Sequence, residues 1–189
     1  MKAELDPAFV ALRGSVGNFT YRKIRGKTIL SPRPANDRPL TPNQLTQREK
    51  FNKAVLYGKS ALSDTDVRAL YEGEAKERNV PLFSVMIADY FNAPTIHDID
   101  LANYTGHVGS VIRISASDDF CLKSVHVSIT NSLSGTLLEN GDATETSAGS
   151  CDWVYTARFN VPAETLVNIQ VVATDLPGGT AVQEETKQL

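Results

Sequence analysis

The spacing of apolar residues changes near Ala93, after a stretch of predicted helices. Before that point apolar residues recur about every 3.6 positions, as on one side of a helix, and after it they alternate with polar residues, as in a strand. The change predicts an α+β chain in two parts. Residues 1–92 form a β-hairpin plus three helices, and residues 93–189 form an all-β sandwich of about seven strands.

The hairpin is predicted from two β-prone runs near the N-terminus. Phe19–Ile24 and Thr28–Leu30 flank Arg25-Gly26, where the glycine supplies the positive φ of a tight turn. A further short strand is predicted at Phe9–Leu12. Four prolines in residues 31–42 then predict an extended connector.

Three helices follow the connector. Thr41 and Gln44 have the spacing of a capping box at the start of the first helix. The second helix begins at Ser63 and is capped at its end by Asn79, and the third helix covers Leu82–Phe91. The third helix is apolar on nearly every side and therefore requires burial from several directions. Its cover is either the rest of the chain or another subunit.

Turn signals divide the second part into short strands with alternating polarity. Trp153, Tyr155 and Ala157 are predicted to face the core, and so are Val125–Ile129 at alternate positions on a neighbouring strand. The seven predicted strands are Thr95–Asn103, Ser110–Ser117, Lys123–Asn131, Thr136–Glu139, Asp152–Phe159, Val167–Thr174 and Ala181–Thr186.

Charge is divided unequally between the two ends of the chain. Residues 1–60 hold 12 Lys and Arg against 4 Asp and Glu, a balance of +8, whereas residues 61–189 hold 7 against 18, a balance of −11. Such asymmetry bears on binding partners and not on the fold. It favours head-to-tail contacts between copies of the chain.

Two sets of residues resemble known groups of proteins. Asp118-Asp119-Phe120, the run Asp152–Ala157 and the run Ala173–Gly179 resemble the immunoglobulin-like domains of bacterial surface and assembly proteins, which implies an immunoglobulin-like sandwich and no particular chemistry. The N-terminal part resembles a group of short uncharacterised proteins, mostly bacterial, that share a basic hairpin followed by a helix. The residues that carry this second resemblance are Gly14–Lys23, Gly26-Lys27, Arg33-Pro34, Leu40–Pro42, Gln44, Gln47-Arg48 and Phe51.

The candidate partner-binding residues are the basic and aromatic side chains of the hairpin and the large apolar side chains of the third helix. Cations with interleaved aromatic rings are what phosphate contact and base stacking require, so nucleic acid is the alternative partner to a protein. The pI of 5.6 favours the protein partner. The residues are Phe19, Tyr21, Arg22, Lys23, Arg25, Lys27, Arg33, Phe83, Met86 and Phe91.

Other chemistry-bearing residues form no recognisable motif. Asp118, Asp119 and Asp175 lie in loops and are candidates for calcium or for turn capping, with no calcium-loop motif around them. The three histidines lack metal-ligand spacing, and no nucleophile motif is present. Cys121 and Cys151 are either a disulfide or two free thiols. The sequence therefore predicts no catalytic residue, metal or cofactor.

Together these patterns predict a non-enzymatic structural or assembly protein. It self-associates as a homo-oligomer through oppositely charged halves, in a filament, tube or surface assembly, or docks on a protein scaffold. Binding of nucleic acid through the hairpin is the alternative. The first residues lack the apolar run of a signal peptide, and no apolar stretch is long enough to span a bilayer. These features predict a protein without a membrane span that is either cytoplasmic or exported by a signal-independent route.

Overall fold

The computed structural model describes the chain except residues 1–13, 25–26, 34–38 and 148 and the side chains of Ile24 and Lys27. The described residues form three helices and eleven strands in three antiparallel sheets, which confirms the predicted α+β class and the helix count. The chain divides into two compact units, Met1–Gln47 and Arg48–Leu189. The predicted domain division after residue 92 stays a prediction.

The first unit contains a three-stranded sheet. Its strands β1 (Gly14–Val16), β2 (Phe19–Ile24) and β3 (Lys27–Pro32) pair in the order β1-β2-β3. The pairing of β2 with β3 confirms the predicted hairpin, whereas β1 was not predicted because Gly14 and Gly17 suggest loop. Gly17 has φ of 57° and so allows the tight turn into β2. The predicted strand Phe9–Leu12 and the turn residues Arg25 and Gly26 lie outside the described residues.

Three helices follow, α1 (Pro42–Ser63), α2 (Thr65–Glu77) and α3 (Leu82–Phe91). The capping box before α1 is present: Gln44 N donates to Thr41 Oγ1 over 3.3 Å, and Thr41 N donates to Gln44 Oε1 over 3.0 Å.

The ends of α2 differ from the prediction. Its N-cap is Asp64 and not Ser63, because the Asp64 carboxylate accepts from Asp66 N and Val67 N. Its C-cap is Arg78, and Asn79 follows in the left-handed region with φ of 52°. No helix in the described part of the chain has the length and hydropathy needed to cross a membrane.

The remaining strands form two four-stranded sheets around one core, here called the two-sheet body. One sheet has the order β11-β10-β6-β7 and the other β4-β5-β9-β8. The structure shows eight strands where seven were predicted, because the two-residue β8 is too short to give a periodic pattern. The strands are β4 (Thr95–Asp100), β5 (Val111–Ser117), β6 (Leu122–Asn131), β7 (Leu137–Asp142), β8 (Thr144–Glu145), β9 (Asp152–Thr156), β10 (Leu166–Asp175) and β11 (Thr180–Gln188).

Alternate residues of these strands fill the core. Trp153, Tyr155 and Ala157 are buried, as are Val125, Val127 and Ile129, so the predicted inward faces are confirmed. The tight turn from β10 to β11 is held by Asp175, whose Oδ1 accepts from Gly178 N over 2.7 Å and from Gly179 N over 2.5 Å. A Cβ at position 179 would collide with Asp175 Oδ2, which explains the glycine there.

A second, smaller core joins the helices to one end of the two-sheet body. Tyr71 and Ala75 of α2 and Val85 and Met86 of α3 are buried in it, with Ala61 of α1. Phe120 and Leu176, from two loops of the two-sheet body, pack against these residues. The cover that α3 requires is therefore supplied by this chain.

The two-sheet core predicts a large effect for truncation of an inward-facing side chain. Ile129→Ala removes part of a fully buried side chain and leaves a cavity, so we expect the free energy of unfolding to fall by about 2–5 kcal/mol. Val182→Ala, at a side chain that is 57% exposed on β11, is the matched control and should change stability by about 0.5 kcal/mol or less. Urea unfolding measures both, and equal losses would contradict the assigned core.

Candidate interaction surface

The N-terminal sheet presents one apolar face. In its register Val16 lies opposite Phe19, and Tyr21 lies opposite Leu30. Directly opposed residues share a face, and so do residues two apart on one strand, so all four side chains lie on one side of the sheet. We call Val16, Phe19, Tyr21 and Leu30 the apolar row.

The apolar row is open to solvent. Val16 is 67% exposed, Phe19 47% and Leu30 38%, while Tyr21 is half-buried. None of the described side chains from residue 14 to residue 33 is buried. An apolar sheet face must be buried against another element, and this sheet lacks that burial within its described residues.

The predicted basic residues divide between the two faces. Lys23 follows Tyr21 by two positions and extends the apolar row, whereas Arg22 lies on the opposite face beside Ile29. Arg33 follows β3, and its backbone N donates to Asn18 O over 2.7 Å. Of the other two predicted cations, Arg25 lies outside the described residues, and only the backbone of Lys27 is described.

The three predicted residues of α3 differ in exposure. Met86 is fully buried, so in this fold it belongs to the core and not to a surface that a partner can reach. Phe83 is half-buried and its ring lies against Gly58 of α1, where a Cβ would stand 2.7 Å from Phe83 Cε2. Phe91 is 43% exposed.

A cluster of carboxyl groups lies where the helices meet the two-sheet body. Asp89 of α3 is 1% exposed and accepts a short hydrogen bond from the Tyr71 hydroxyl of α2, and Tyr71 also shares a 2.8 Å hydrogen bond with Tyr57. Asp118, after β5, and Asp175, at the end of β10, lie near Asp89. Within the described residues Asp89 Oδ1 and Asp175 Oδ2 are buried without a hydrogen-bond partner.

Burial and mutual repulsion raise the proton affinity of this cluster. Burial raises the pKa of Asp89 to about 7, the hydrogen bond from Tyr71 opposes the rise, and the negative charges of Asp118 and Asp175 add to it. Burial also raises the pKa values of Asp118 and Asp175. The neutral form of Asp89 therefore stabilises the junction below neutral pH.

Other contacts fasten the same junction. The ring of Tyr71 stacks on Phe120 with 4.4 Å between centroids. Arg78 Nη2 donates to Asp119 O over 2.6 Å, and Asn92 Nδ2 donates to Asp119 Oδ2 over 2.8 Å. The Asp118-Asp119-Phe120 segment thus connects the helices to the two-sheet body.

The side chains at this junction have little reactivity as nucleophiles or metal ligands. Burial raises the pKa of the Cys121 thiol to about 11, which keeps it protonated and weakly nucleophilic at neutral pH. Cys121 and Cys151 are both free, which settles the disulfide alternative left open by the sequence. Across the described part of the chain, no group of three or more His, Cys, Asp or Glu side chains is arranged to hold a metal ion.

Sequence reasoning identified Asp118, Asp119 and Asp175 but missed Asp89 and Tyr71. The structure brings Asp118 and Asp175 together with Asp89, while Asp119 is exposed and bonds to Asn92. One signal was present: Asp89 is the one charged residue of the apolar helix α3. A charged residue within a helix that must be buried requires a polar partner elsewhere in the fold.

No protein-family model, curated protein or solved structure matches this chain.

The buried carboxyl of Asp89 predicts a stability that falls as pH rises. Its folded pKa of about 7 lies above the value of 3.8 for an aspartate in an unfolded chain. Its neutral form therefore stabilises the fold fully below about pH 4, and this contribution is lost as pH rises through 7. Asp89→Asn keeps an acceptor for Tyr71 and removes the titration. We expect its advantage over wild type to grow by roughly 2–3 kcal/mol between pH 5 and pH 8.

Chemical unfolding at a series of pH values measures this difference. Glu77→Gln, which changes an exposed carboxyl to its amide in the same way, is the control and should follow the wild-type pH dependence. A wild-type curve that matches that of Asp89→Asn across this range would show that Asp89 is ionised without penalty.

Proposed function

We propose that this chain is a non-enzymatic structural protein that self-associates, with the apolar row of one copy covered by the two-sheet body of another. The observation that carries the proposal is the N-terminal sheet itself, which exposes Val16, Phe19 and Leu30 on one face and buries none of its described side chains. A sheet face of this kind must be buried against another surface, and among the described residues no side chain supplies that burial.

The free energy available from covering this face is substantial. Complete burial of a Val, Leu or Phe side chain contributes about 1.5–3 kcal/mol relative to full exposure. Three members of the row are between 38% and 67% exposed, so covering them contributes several kcal/mol before the entropy lost on association.

Charge supports a partner that is another copy of the chain. The balance of +8 in residues 1–60 and −11 in residues 61–189 makes the front of one copy attractive to the body of the next. Contacts between different surfaces of identical chains continue into a filament or tube unless the rotation closes a ring. The proposed assembly is therefore heterologous, and a protein scaffold with a similar acidic surface would compete for the same row.

We propose further that the two-sheet body is an immunoglobulin-like domain. If its eight strands are numbered in chain order, the first, second, sixth and fifth strands form one sheet (β4-β5-β9-β8). The eighth, seventh, third and fourth strands form the other sheet (β11-β10-β6-β7). This matches the immunoglobulin arrangement of strands A, B, E and D against G, F and C, with an added C′. The fold supports a presenting or assembly module and specifies no reaction.

The positions of the buried titratable residues support the proposal of a non-enzymatic role. Asp89, Asp118 and Asp175 are gathered at a packed junction where burial favours their neutral forms. Tyr71 fills the space between the helices and Phe120. These residues fasten the helices to the two-sheet body.

Nucleic-acid binding is the second candidate, and one observation favours it. Phe19, Tyr21 and Lys23 occupy alternate positions of β2 and share a face, so two rings and one cation line up. Stacking of a base on an aromatic ring contributes about 1–3 kcal/mol.

The assembly proposal predicts that the purified protein associates without nucleic acid. Sedimentation analysis over a wide range of protein concentration should show an average mass that rises with concentration. Phe19→Ser combined with Leu30→Ser, here called the row variant, removes apolar contact on the same face. We expect its dissociation constant to rise at least tenfold, equivalent to about 1.4 kcal/mol.

Val182→Ser is the control, since Val182 is an equally exposed apolar residue of the two-sheet body. It should associate like wild type. A wild-type protein that stays monomeric at every concentration contradicts the proposal. A mass that rises only when a single-stranded oligonucleotide is added would favour the second candidate.

A further inference from the structure

We propose that the apolar row and Lys23 of one copy dock on the outer face of the β4-β5-β9-β8 sheet of the next copy. This inference rests on the proposed function and names the receiving surface. We call that surface the acidic face and define it by Asp98, Asp100, Arg113, Asp152 and Val154.

The register of the sheet sets the layout of the acidic face. Asp98 lies opposite Ser115, and Ser115 lies opposite Asp152, which makes one row across three strands. In the next row Asp100 lies opposite Arg113, and Arg113 lies opposite Val154. The intervening residues of β5, Ile112 and Ile114, are buried in the core, so both rows point outward.

The acidic face is concave and carries net negative charge. Its residues line a shallow concavity of about 440 Å³. Three carboxylates and one guanidinium give a balance of −2, and Val154 adds apolar surface. A cation at the end of an apolar row is the complementary pattern, and the N-terminal sheet presents it as Lys23 beside Tyr21.

Unpartnered charge distinguishes this face from the outer face of the other sheet. There the Glu184 carboxylate accepts from Gln170 and Asn168, and Asp142 lies 2.7 Å from His126 Nδ1. Across the described residues neither Asp98 nor Asp152 has an ion-pair partner. A carboxylate without a cation of its own gains more from the approach of Lys23 than one that is already bonded.

Charge reversal on the two sheets gives a matched pair of variants. Asp98→Lys with Asp152→Lys, the acidic-face variant, places two cations where Lys23 would dock. Asp142→Lys with Glu184→Lys makes the same change in net charge on the other sheet. We expect the dissociation constant of self-association to rise at least tenfold for the first, while the second stays within about threefold of wild type.

Mixing provides the sharper test, because a heterologous contact uses two different surfaces. The row variant keeps an intact acidic face, and the acidic-face variant keeps an intact apolar row. Each should be monomeric alone at a concentration where wild type forms larger species. Mixed in equal amounts, they should form one-to-one pairs and nothing larger, as measured by sedimentation or mass photometry.

The outcomes separate this inference from the proposed function. If wild type assembles and the acidic-face variant assembles equally well, the receiving surface lies elsewhere and the inference is overturned while self-association stands. If the mixture stays monomeric, the two surfaces do not meet. If wild type itself never assembles, the proposed function fails with it. Asp98→Asn with Asp152→Asn, a milder change that should weaken association about threefold to tenfold, guards against misfolding of the lysine variant.

Discussion

A β-sheet that is apolar on one face must bury that face against another layer. The N-terminal sheet has an obvious face to cover, with Val16 opposite Phe19 and Tyr21 opposite Leu30, and its described side chains show no such cover. This constraint underlies the functional proposals. The excess of positive charge in residues 1–60 suits either nucleic acid or protein. The apolar row beside that charge favours a protein surface that offers both apolar contact and negative charge.

The second unit has the opposite character, because it supplies its own burial. Two sheets enclose one core, and a second core joins the helices to the loops around Phe120 and Leu176. Asp89 lies at the centre of that junction, where burial raises its pKa to about 7 and Tyr71 donates to it. The second unit thus buries its own apolar residues, and the exposed carboxylates of Asp98 and Asp152 give the outer face of the β4-β5-β9-β8 sheet its negative charge.

Much of the fold could be predicted because it depends on residues that are close together in the sequence. The alternation of Trp153, Tyr155 and Ala157 and the capping pair Thr41 and Gln44 each depend on residues a few positions apart, and the structure shows both as expected. Strand β1 escaped prediction because three residues between glycines carry no periodicity, and pairing with β2 alone makes them a strand.

The candidate sites were harder, since they depend on which distant residues meet. The basic hairpin could be identified, but its register places Arg22 and Lys23 on opposite faces, and only Lys23 continues the apolar row. Met86 was predicted to contact a partner because α3 is apolar on nearly every side, but the structure places Met86 in the core. The acidic face arises from Asp98 on β4 and Asp152 on β9, which are 54 positions apart and become neighbours through Ser115.

Hydrogen–deuterium exchange of the backbone amides of residues 19–24 and 27–31, followed as a function of protein concentration, tests the central claim most directly. Amides exchange slowly only where their hydrogen bonds open rarely. A sheet that depends on a second copy should exchange quickly in dilute solution and become protected as the concentration rises, while β6 and β10 stay protected throughout. Strong protection of residues 19–24 and 27–31 that does not change with concentration would show that the sheet needs no second copy, and the account would be wrong.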